Sequence, residues 1–222
     1  MSTTEHLRDK YGYLWDRLFN HPFVVGVGNG SLSTERFLFY MKQDYFFLVQ
    51  YARMLALAAA KAPDLEGVTR FSALLGETLN TEMELHRSYC RRLGVSAEEL
   101  AAVRPAPVTL AYTDYLLRVA YEGTLTDVIA NLLPCQWGYY ETGLHLARTG
   151  DTSEANPYAE WITMYSDPEF GAFVAWLREL LDSLTANADE AEVRRLEDHF
   201  LTATRYEYLF WEMSYNLQDW PV

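Results

Sequence analysis

The chain has 222 residues, 50% of them hydrophobic and 15% aromatic, and its 18 basic against 31 acidic residues give a net charge of −13. That length suits one large domain with a sizeable core. The acidic balance repels phosphate backbones and anionic lipids, so binding to nucleic acid or to a membrane surface is disfavoured.

The small number of cysteines and the absence of a visible signal peptide favour a location in the cytoplasm. Two cysteines, Cys90 and Cys135, are too few for a disulfide framework or a zinc site. The first residues show no basic start followed by an apolar run, so no signal peptide is visible. The longest apolar stretch, residues 54–60, is far too short to span a membrane. We therefore expect a soluble protein in a reducing cytoplasm.

Apolar residues recur at helical spacing along almost the whole chain, and alternating strand patterns are hard to find. A flexible connection is expected at residues 26–31, and Ser33 is expected to cap the helix that follows it. The pattern predicts helices over residues 6–19, 33–61, 63–93, 96–104, 108–121, 124–147, 157–165, 167–184 and 189–218. About eight or nine helices in a single domain over residues 1–222 make an all-α bundle.

Asp44 lies in an aromatic run, where Asp44, Phe47 and Tyr51 share one helix face at i, i+3 and i+7. A carboxylate in such surroundings needs hydrogen-bond donors. Two interpretations are open. Asp44 pairs with an arginine or caps a neighbouring helix, or it binds an amino group on a ligand that lies against Phe47.

Cys135 shares a helix face with Tyr139 at i, i+4. Pro134 cannot donate to the carbonyl of Ala130, so we expect the helix to kink or restart there. A restart would place the thiol near a positive helix end, which favours the nucleophilic thiolate. The alternative is an inert, buried small hydrophobe, and this is the interpretation expected for Cys90.

Glu207 lies among aromatic residues of the last predicted helix, one turn from Trp211, while Glu212 points to a different side. Apolar surroundings raise the pKa of a carboxyl group, which makes Glu207 a candidate proton donor. An ordinary ion pair with an arginine is the competing interpretation.

Two further patterns predict no site. Glu82 and His86 at i, i+4 resemble a metal-ligand pair, but the five histidines complete no repeated Glu-x-x-His motif of a di-iron bundle. The glycine-rich residues 26–30 lack a Walker lysine and a preceding strand, so a phosphate site is not expected either.

The order and spacing of several short motifs resemble the TenA family, which includes thiaminase II (aminopyrimidine aminohydrolase), over nearly the whole chain. The motifs are His21-Pro22-Phe23 with Gly30-Ser31-Leu32, Gln43-Asp44-Tyr45, Pro134-Cys135 with Tyr139 and Glu141, Trp161-Ile162 with Tyr165 and Glu169-Phe170, and Tyr206-Glu207-x-x-Phe210-Trp211-x-Met213 with Trp220.

The resemblance implies a haem-oxygenase-like helical bundle without haem or another cofactor, usually a homotetramer, with a pocket for a 4-amino-2-methylpyrimidine. By position, Cys135 resembles the nucleophile, Glu207 the acid/base near a ring nitrogen, and Asp44 the anchor of the 4-amino group. The pocket tyrosines correspond to Tyr112, Tyr139 and Tyr165. Phe47 departs from the pattern, since the family often has a hydroxyl-bearing aromatic residue there; stacking survives, but a hydrogen bond would be lost.

The resemblance thus implies an enzyme of thiamin salvage that converts an aminomethylpyrimidine to the hydroxymethylpyrimidine through a cysteine adduct, with thiamin cleavage as a related activity. It needs no metal. Two alternatives are a regulatory or pyrimidine-binding protein without catalysis, and a metal-dependent oxidase on the same architecture. The acidic charge argues against direct DNA binding.

Overall fold

The computed structural model describes residues 1–222, which form eleven α-helices and one π-helical segment and no strand. The helices are α1 (Thr3–Phe19), α2 (Pro22–Gly28), α3 (Thr34–Lys61), α4 (Leu65–Glu77), α5 (Met83–Arg92), α6 (Ala97–Ala101), α7 (Pro107–Glu122), α8 (Leu125–Thr149), α9 (Ala159–Tyr165), α10 (Pro168–Leu184) and α11 (Glu190–Asn216). The π-helical segment (Thr78–Glu82) joins α4 to α5.

The predicted all-α class is confirmed, with two local differences. Residues 26–28, expected to be a flexible connection, are the end of α2, which begins at Pro22 because the His21 side chain accepts a hydrogen bond from the main-chain N–H of Phe23. The helix predicted over 63–93 is α4, the π-helical segment and α5 in direct succession. None of the helices is both long enough and apolar enough to cross a lipid bilayer.

Helix starts follow the capping rules. Ser33 accepts a hydrogen bond from the main-chain N–H of Arg36, as predicted. Ser2 and Ser96 each form a capping box with the glutamate three residues on, so that two free N–H groups are satisfied at the start of α1 and of α6.

The chain divides into two compact units, and each is built from two separate stretches of sequence. The first unit comprises residues 1–32 and 129–212, and the second comprises residues 33–128 and 213–222.

In the first unit, aromatic rings from α1, α8 and α11 form the core. The Trp15 ring meets Trp137 edge-on at 5.1 Å between centroids and lies parallel to Phe200 at 6.4 Å. Asp182 on α10 accepts hydrogen bonds of 2.8 Å from both the main-chain N–H and the hydroxyl of Thr4, which fixes α10 to the start of α1.

The link between α8 and α9 in the first unit is held by one buried side chain. The Asn156 amide donates to the carbonyl of Val27 at 3.0 Å and to that of Asp151 at 2.7 Å, and its oxygen accepts from the Tyr158 N–H at 2.9 Å. Tyr158 in turn donates to the carbonyl of Leu32 at 2.6 Å. These bonds position α9, whose last residue is Tyr165.

In the second unit, α3 packs against α4, α5 and α7. Gln43 fixes the start of α7: its amide donates to the carbonyl of Arg104 at 3.1 Å, and its oxygen accepts from the N–H of Ala106 at 2.8 Å. At the other end of α7, the Lys61 ammonium group donates to the carbonyl of Gly123 at 2.7 Å. Side chains of α3 therefore bind the chain at both ends of α7.

Candidate active site

Cys135 is a buried residue in the middle of α8, which continues through Pro134 without a break. Of the two predicted alternatives at the proline, a kink or a restart of the helix, the restart is therefore wrong. The surrounding residues explain why: residues 128–133 are buried, and packing holds the helical geometry although the carbonyl of Ala130 receives no bond from Pro134. The Cys135 thiol accordingly has no helix N-terminus beside it to stabilise a thiolate.

An open space lies next to the cysteine on α8. Gly138 is buried, yet a methyl group built on its Cα would meet no atom within 4 Å. Gly138 follows Cys135 by three residues and precedes Tyr139, so all three share one face of the helix. A well-packed interior leaves few such spaces, and this one is a candidate position for a small ligand.

Aromatic rings surround Tyr139. Its ring centroid lies 4.8 Å from that of Tyr165, edge to face, 5.2 Å from that of Trp211, and 5.9 Å from that of Trp161. Gly143 permits this packing, because a methyl group there would clash with the main chain of Tyr165. We call Cys135, Tyr139 and Tyr165 the cysteine cluster.

Glu207 lies on α11 and is only 4% exposed. Its neighbour one turn on, Trp211, stacks on Phe23 at 5.0 Å, while Glu212 turns to the His21 ring at 2.9 Å. The predicted separation of the two glutamates is confirmed: Glu207 lies in the interior, whereas the Glu212 side chain is 41% exposed.

Two polar groups near the cysteine cluster were not singled out from the sequence. Asn131, one turn before Cys135 on α8, is fully buried, and neither its amide nitrogen nor its oxygen has a hydrogen-bond partner. The side-chain oxygen of Gln136 is also buried and unpaired. An unpaired buried amide can bond to a ligand or a water molecule. The available signal was a polar residue in an apolar run, four residues before the cysteine.

Asp44 in the second unit is 4% exposed and makes its bonds through one oxygen. Its Oδ2 accepts from the Tyr40 hydroxyl at 2.8 Å and lies 2.7 Å from Nε2 of His86. The interpretation that Asp44 pairs with an arginine or caps a helix is therefore wrong, since its partners are a tyrosine and a histidine. We call Tyr40, Asp44 and His86 the carboxylate cluster.

Phe47 follows Asp44 by three residues and is buried. Its ring centroid is 5.2 Å from that of Tyr112, at an angle of 41°, and 5.8 Å from that of Tyr51 in a stacked arrangement. Two of the predicted site residues of this unit, Phe47 and Tyr112, are thus in direct contact through their rings.

The remaining candidates have structural explanations. His86, considered as a metal ligand with Glu82, directs Nδ1 to the main-chain oxygen of Glu82 and Nε2 to Asp44. No group of three or more His, Cys, Asp and Glu side chains is arranged to hold a metal ion. Burial raises the pKa of the Cys90 thiol to about 11, so this cysteine stays protonated and inert near neutral pH.

Comparisons with known proteins agree with this architecture. A model of the TENA/THI-4/PQQC family matches residues 8–217. The aminopyrimidine aminohydrolase of Halalkalibacterium halodurans is 47% identical over 220 residues, which cover 99% of this chain and 98% of that protein.

Solved structures of other proteins have the same fold as this chain. A TenA homologue from P. horikoshii has a TM-score of 0.87 and 31% identity, covering 97% of this chain and 99% of its own. A domain from Shewanella denitrificans with a heme oxygenase-like fold has a TM-score of 0.75 at 15% identity, covering 96% of this chain and 92% of its own, and is similar in fold alone. The predicted haem-oxygenase-like class is confirmed.

Proposed function

The chain belongs to the TENA/THI-4/PQQC family, and we propose that it is a hydrolase of thiamin salvage that converts 4-amino-5-aminomethyl-2-methylpyrimidine to the 5-hydroxymethyl compound. The observation that carries the proposal is the open space beside Gly138, on the face of α8 that also bears the buried Cys135. The name of the 47% identical relative, aminopyrimidine aminohydrolase, supports the substrate class. Cleavage of thiamin is a related activity with the same chemistry.

Cys135 and Glu207 are the residues that perform the chemistry in this proposal. Protonation of a ring nitrogen by Glu207 makes C6 of the pyrimidine electrophilic, and the Cys135 thiolate adds there. Electrons returning from the ring expel the amino group of the C5 methylene, in its protonated ammonium form, as ammonia. Water adds to that methylene and releases a proton to the solvent. The thiolate then departs and the ring nitrogen returns its proton to Glu207, which restores the aromatic ring.

Substrate orientation falls to the other candidate residues. The Asp44 carboxylate accepts a hydrogen bond from the 4-amino group, and Phe47 and Tyr112 offer faces for stacking against the ring. Tyr139 and Tyr165 line the proposed ligand position beside Cys135. A substrate that is bound in its reactive orientation reacts several orders of magnitude faster than one in a bimolecular encounter.

A regulatory role by direct DNA binding finds no support in a chain with a net charge of −13. From the family resemblance, the proposal also includes a homotetramer and a location in the cytoplasm. Light scattering on the purified protein would measure the number of subunits.

The enzymatic proposal is tested by incubating the purified protein with the aminomethylpyrimidine and measuring hydroxymethylpyrimidine and ammonia. We expect equimolar products with the native protein. Glu207→Gln should lose about 10²- to 10⁴-fold in kcat, because an amide cannot deliver the proton. A native protein that binds the pyrimidine without releasing ammonia would support the non-catalytic alternative instead.

A further inference from the structure

We infer that His86 is a positioning residue that keeps Asp44 ionised, so that the carboxylate selects a pyrimidine whose 4-substituent is a hydrogen-bond donor. The inference rests on the proposed function, in which Asp44 binds the 4-amino group. It concerns a histidine that the proposed chemistry does not otherwise use.

The hydrogen bonds of His86 define where its protons lie. The side chain is fully buried, with Nδ1 2.8 Å from the main-chain oxygen of Glu82 and Nε2 2.7 Å from Oδ2 of Asp44. A carbonyl oxygen can only accept, so Nδ1 carries a proton. The remaining proton of the pair lies between Nε2 and Asp44, either on the imidazole or on the carboxyl group.

The surroundings place that proton on His86. The Tyr40 hydroxyl on α3 also donates to Oδ2, at 2.8 Å, and two donors to one carboxylate oxygen stabilise its negative charge. Burial by itself lowers the pKa of His86, but the hydrogen bond to Asp44 and the charges of Asp44 and Glu82 outweigh burial and raise the pKa. In the proposed arrangement, the cluster is an imidazolium paired with a carboxylate.

The charge of Asp44 determines what it can recognise. Both side-chain hydrogen bonds of Asp44 end on Oδ2, so the lone pairs of Oδ1 are left for a donor from outside the cluster. An ionised carboxylate only accepts. It attracts the N–H of a 4-amino group more strongly than the carbonyl oxygen of a neutral carboxyl group would, and it repels the lone pairs of a 4-oxo group, so the strength of this selection depends on the proton held by His86.

The backbone before His86 is adapted to this arrangement. The main-chain N–H of Met83 bonds to the carbonyl of Thr78, five residues earlier, which is the π-helical pattern. Glu82, the last residue of this π-helical segment, supplies the carbonyl that fixes Nδ1 of His86. π-Helical turns are rare and are frequent at functional sites, so the local irregularity is consistent with a functional constraint on the histidine.

Nitrogen NMR of the ligand-free, full-length protein near pH 7.5 tests the charge directly. We expect both ring nitrogens of His86 to bear protons, with the resonances assigned in the native protein by through-bond correlation to the His86 backbone. A neutral ring, with one protonated and one bare nitrogen, would overturn the inference. This measurement uses the native protein and stands even where a variant does not fold.

Binding of two pyrimidines tests the selection. The first is 4-amino-5-hydroxymethyl-2-methylpyrimidine, and the second is the same compound with hydrogen in place of the 4-amino group. His86→Gln should weaken the binding of the 4-amino compound by about tenfold or more, since a charge-assisted hydrogen bond is lost. The same variant should weaken the binding of the compound without the 4-amino group by less than twofold. Tyr40→Phe, which removes a bond to the same oxygen but leaves the imidazolium in place, should cost the 4-amino compound less.

The outcomes separate the two hypotheses. An equal loss for both compounds in His86→Gln would show a structural role only and would overturn the selection by His86. A native protein that binds neither compound would overturn the proposed function and the selection with it, while the NMR measurement would still report the charge of the histidine.

Discussion

At the scale of single residues, two buried histidines have pKa values that are shifted in opposite directions, upward for His86 and downward for His21. His86 faces two acceptors, whereas His21 accepts from the N–H of Phe23 through Nδ1 at 3.1 Å and donates to Glu212 through Nε2 at 2.9 Å. Burial lowers the pKa of His21 in spite of Glu212. A protonated His21 would direct an N–H at the N–H of Phe23, so the start of α2 requires the neutral ring.

The low pKa of His21 predicts a loss of stability on acidification. The unfolded chain takes up this proton near pH 6.5, before the folded chain does, so the free energy of unfolding falls as the pH drops below about 6.5. His21→Asn keeps an acceptor for the Phe23 N–H but does not titrate. Denaturant unfolding at pH 7 and pH 5.5 should show a smaller loss for the variant, and equal losses would contradict this account.

The open space at Gly138 makes a second prediction. An alanine there meets no atom and is the better helix former, so Gly138→Ala should raise the free energy of unfolding by about 0.5–1 kcal/mol. It should also raise KM, because the methyl group enters the proposed ligand space. Gly76→Ala on α4 is the control, since a methyl group at the half-buried Gly76 also meets no atom within 4 Å; it should add stability without changing KM. An unchanged KM in both variants would remove the main support for a ligand beside Cys135.

Residue patterns in the sequence could identify some site residues but not their partners. Helical spacing predicts that Asp44 lies beside Phe47, and Cys135 beside Tyr139, because residues three or four positions apart share one face of a helix. It could not reveal that His86, 42 residues after Asp44, bonds to it. That contact depends on how α3 packs against α5, which no spacing within a helix reports.

At the scale of helices, the errors arose where local rules met tertiary packing. Pro134 predicts a kink or a restart of the helix, but α8 does not restart there because the residues next to the proline are buried. The π-helical segment adds an extra residue to a turn without a distinctive sequence signal, so residues 63–93 were predicted as one regular helix. In contrast, the cap of α3 at Ser33 and the end of α5 shortly before Gly94 follow from the local preferences of serine and glycine at helix ends.

The link between α8 and α9 depends on Asn156, and its removal should be costly. Asn156→Ala leaves buried main-chain groups without partners, so we expect a loss of about 2–4 kcal/mol in the free energy of unfolding. Asn29→Ala is the matched control, since the exposed Asn29 side chain accepts only from the N–H of Ser31; its cost should stay below about 1 kcal/mol. Similar losses in the two variants would show that burial of the Asn156 bonds is unimportant.

At the scale of the whole molecule, that residues 1–222 form one domain stays a prediction, and the course of the chain shows how to test it. Each compact unit uses two distant stretches, and α8 and α11 both contribute residues to the two units. Neither unit can therefore be excised as a continuous segment. Calorimetry should show a single transition whose calorimetric and van't Hoff enthalpies agree, whereas two separable transitions would mean two domains.

The family and the fold class were accessible from the sequence because they rest on many residues at once. The order of motifs from His21 to Trp220 and the helical periodicity extend over many residues, so a wrong local prediction such as that at Pro134 does not change the family or the fold class. The substrate depends on a few side chains, and Phe47, which lacks a hydroxyl group, is the position where this chain departs from the expected pattern.

The central claim is that Cys135 acts as the nucleophile in pyrimidine hydrolysis, and the two cysteines of the chain provide the most direct measurement. Hydroxymethylpyrimidine formation should fall by about 10³-fold or more in Cys135→Ala, while the protein still binds the product. Cys90→Ala, which removes the inert buried thiol, should keep its kcat within about twofold. Native activity in Cys135→Ala would contradict covalent catalysis by this residue.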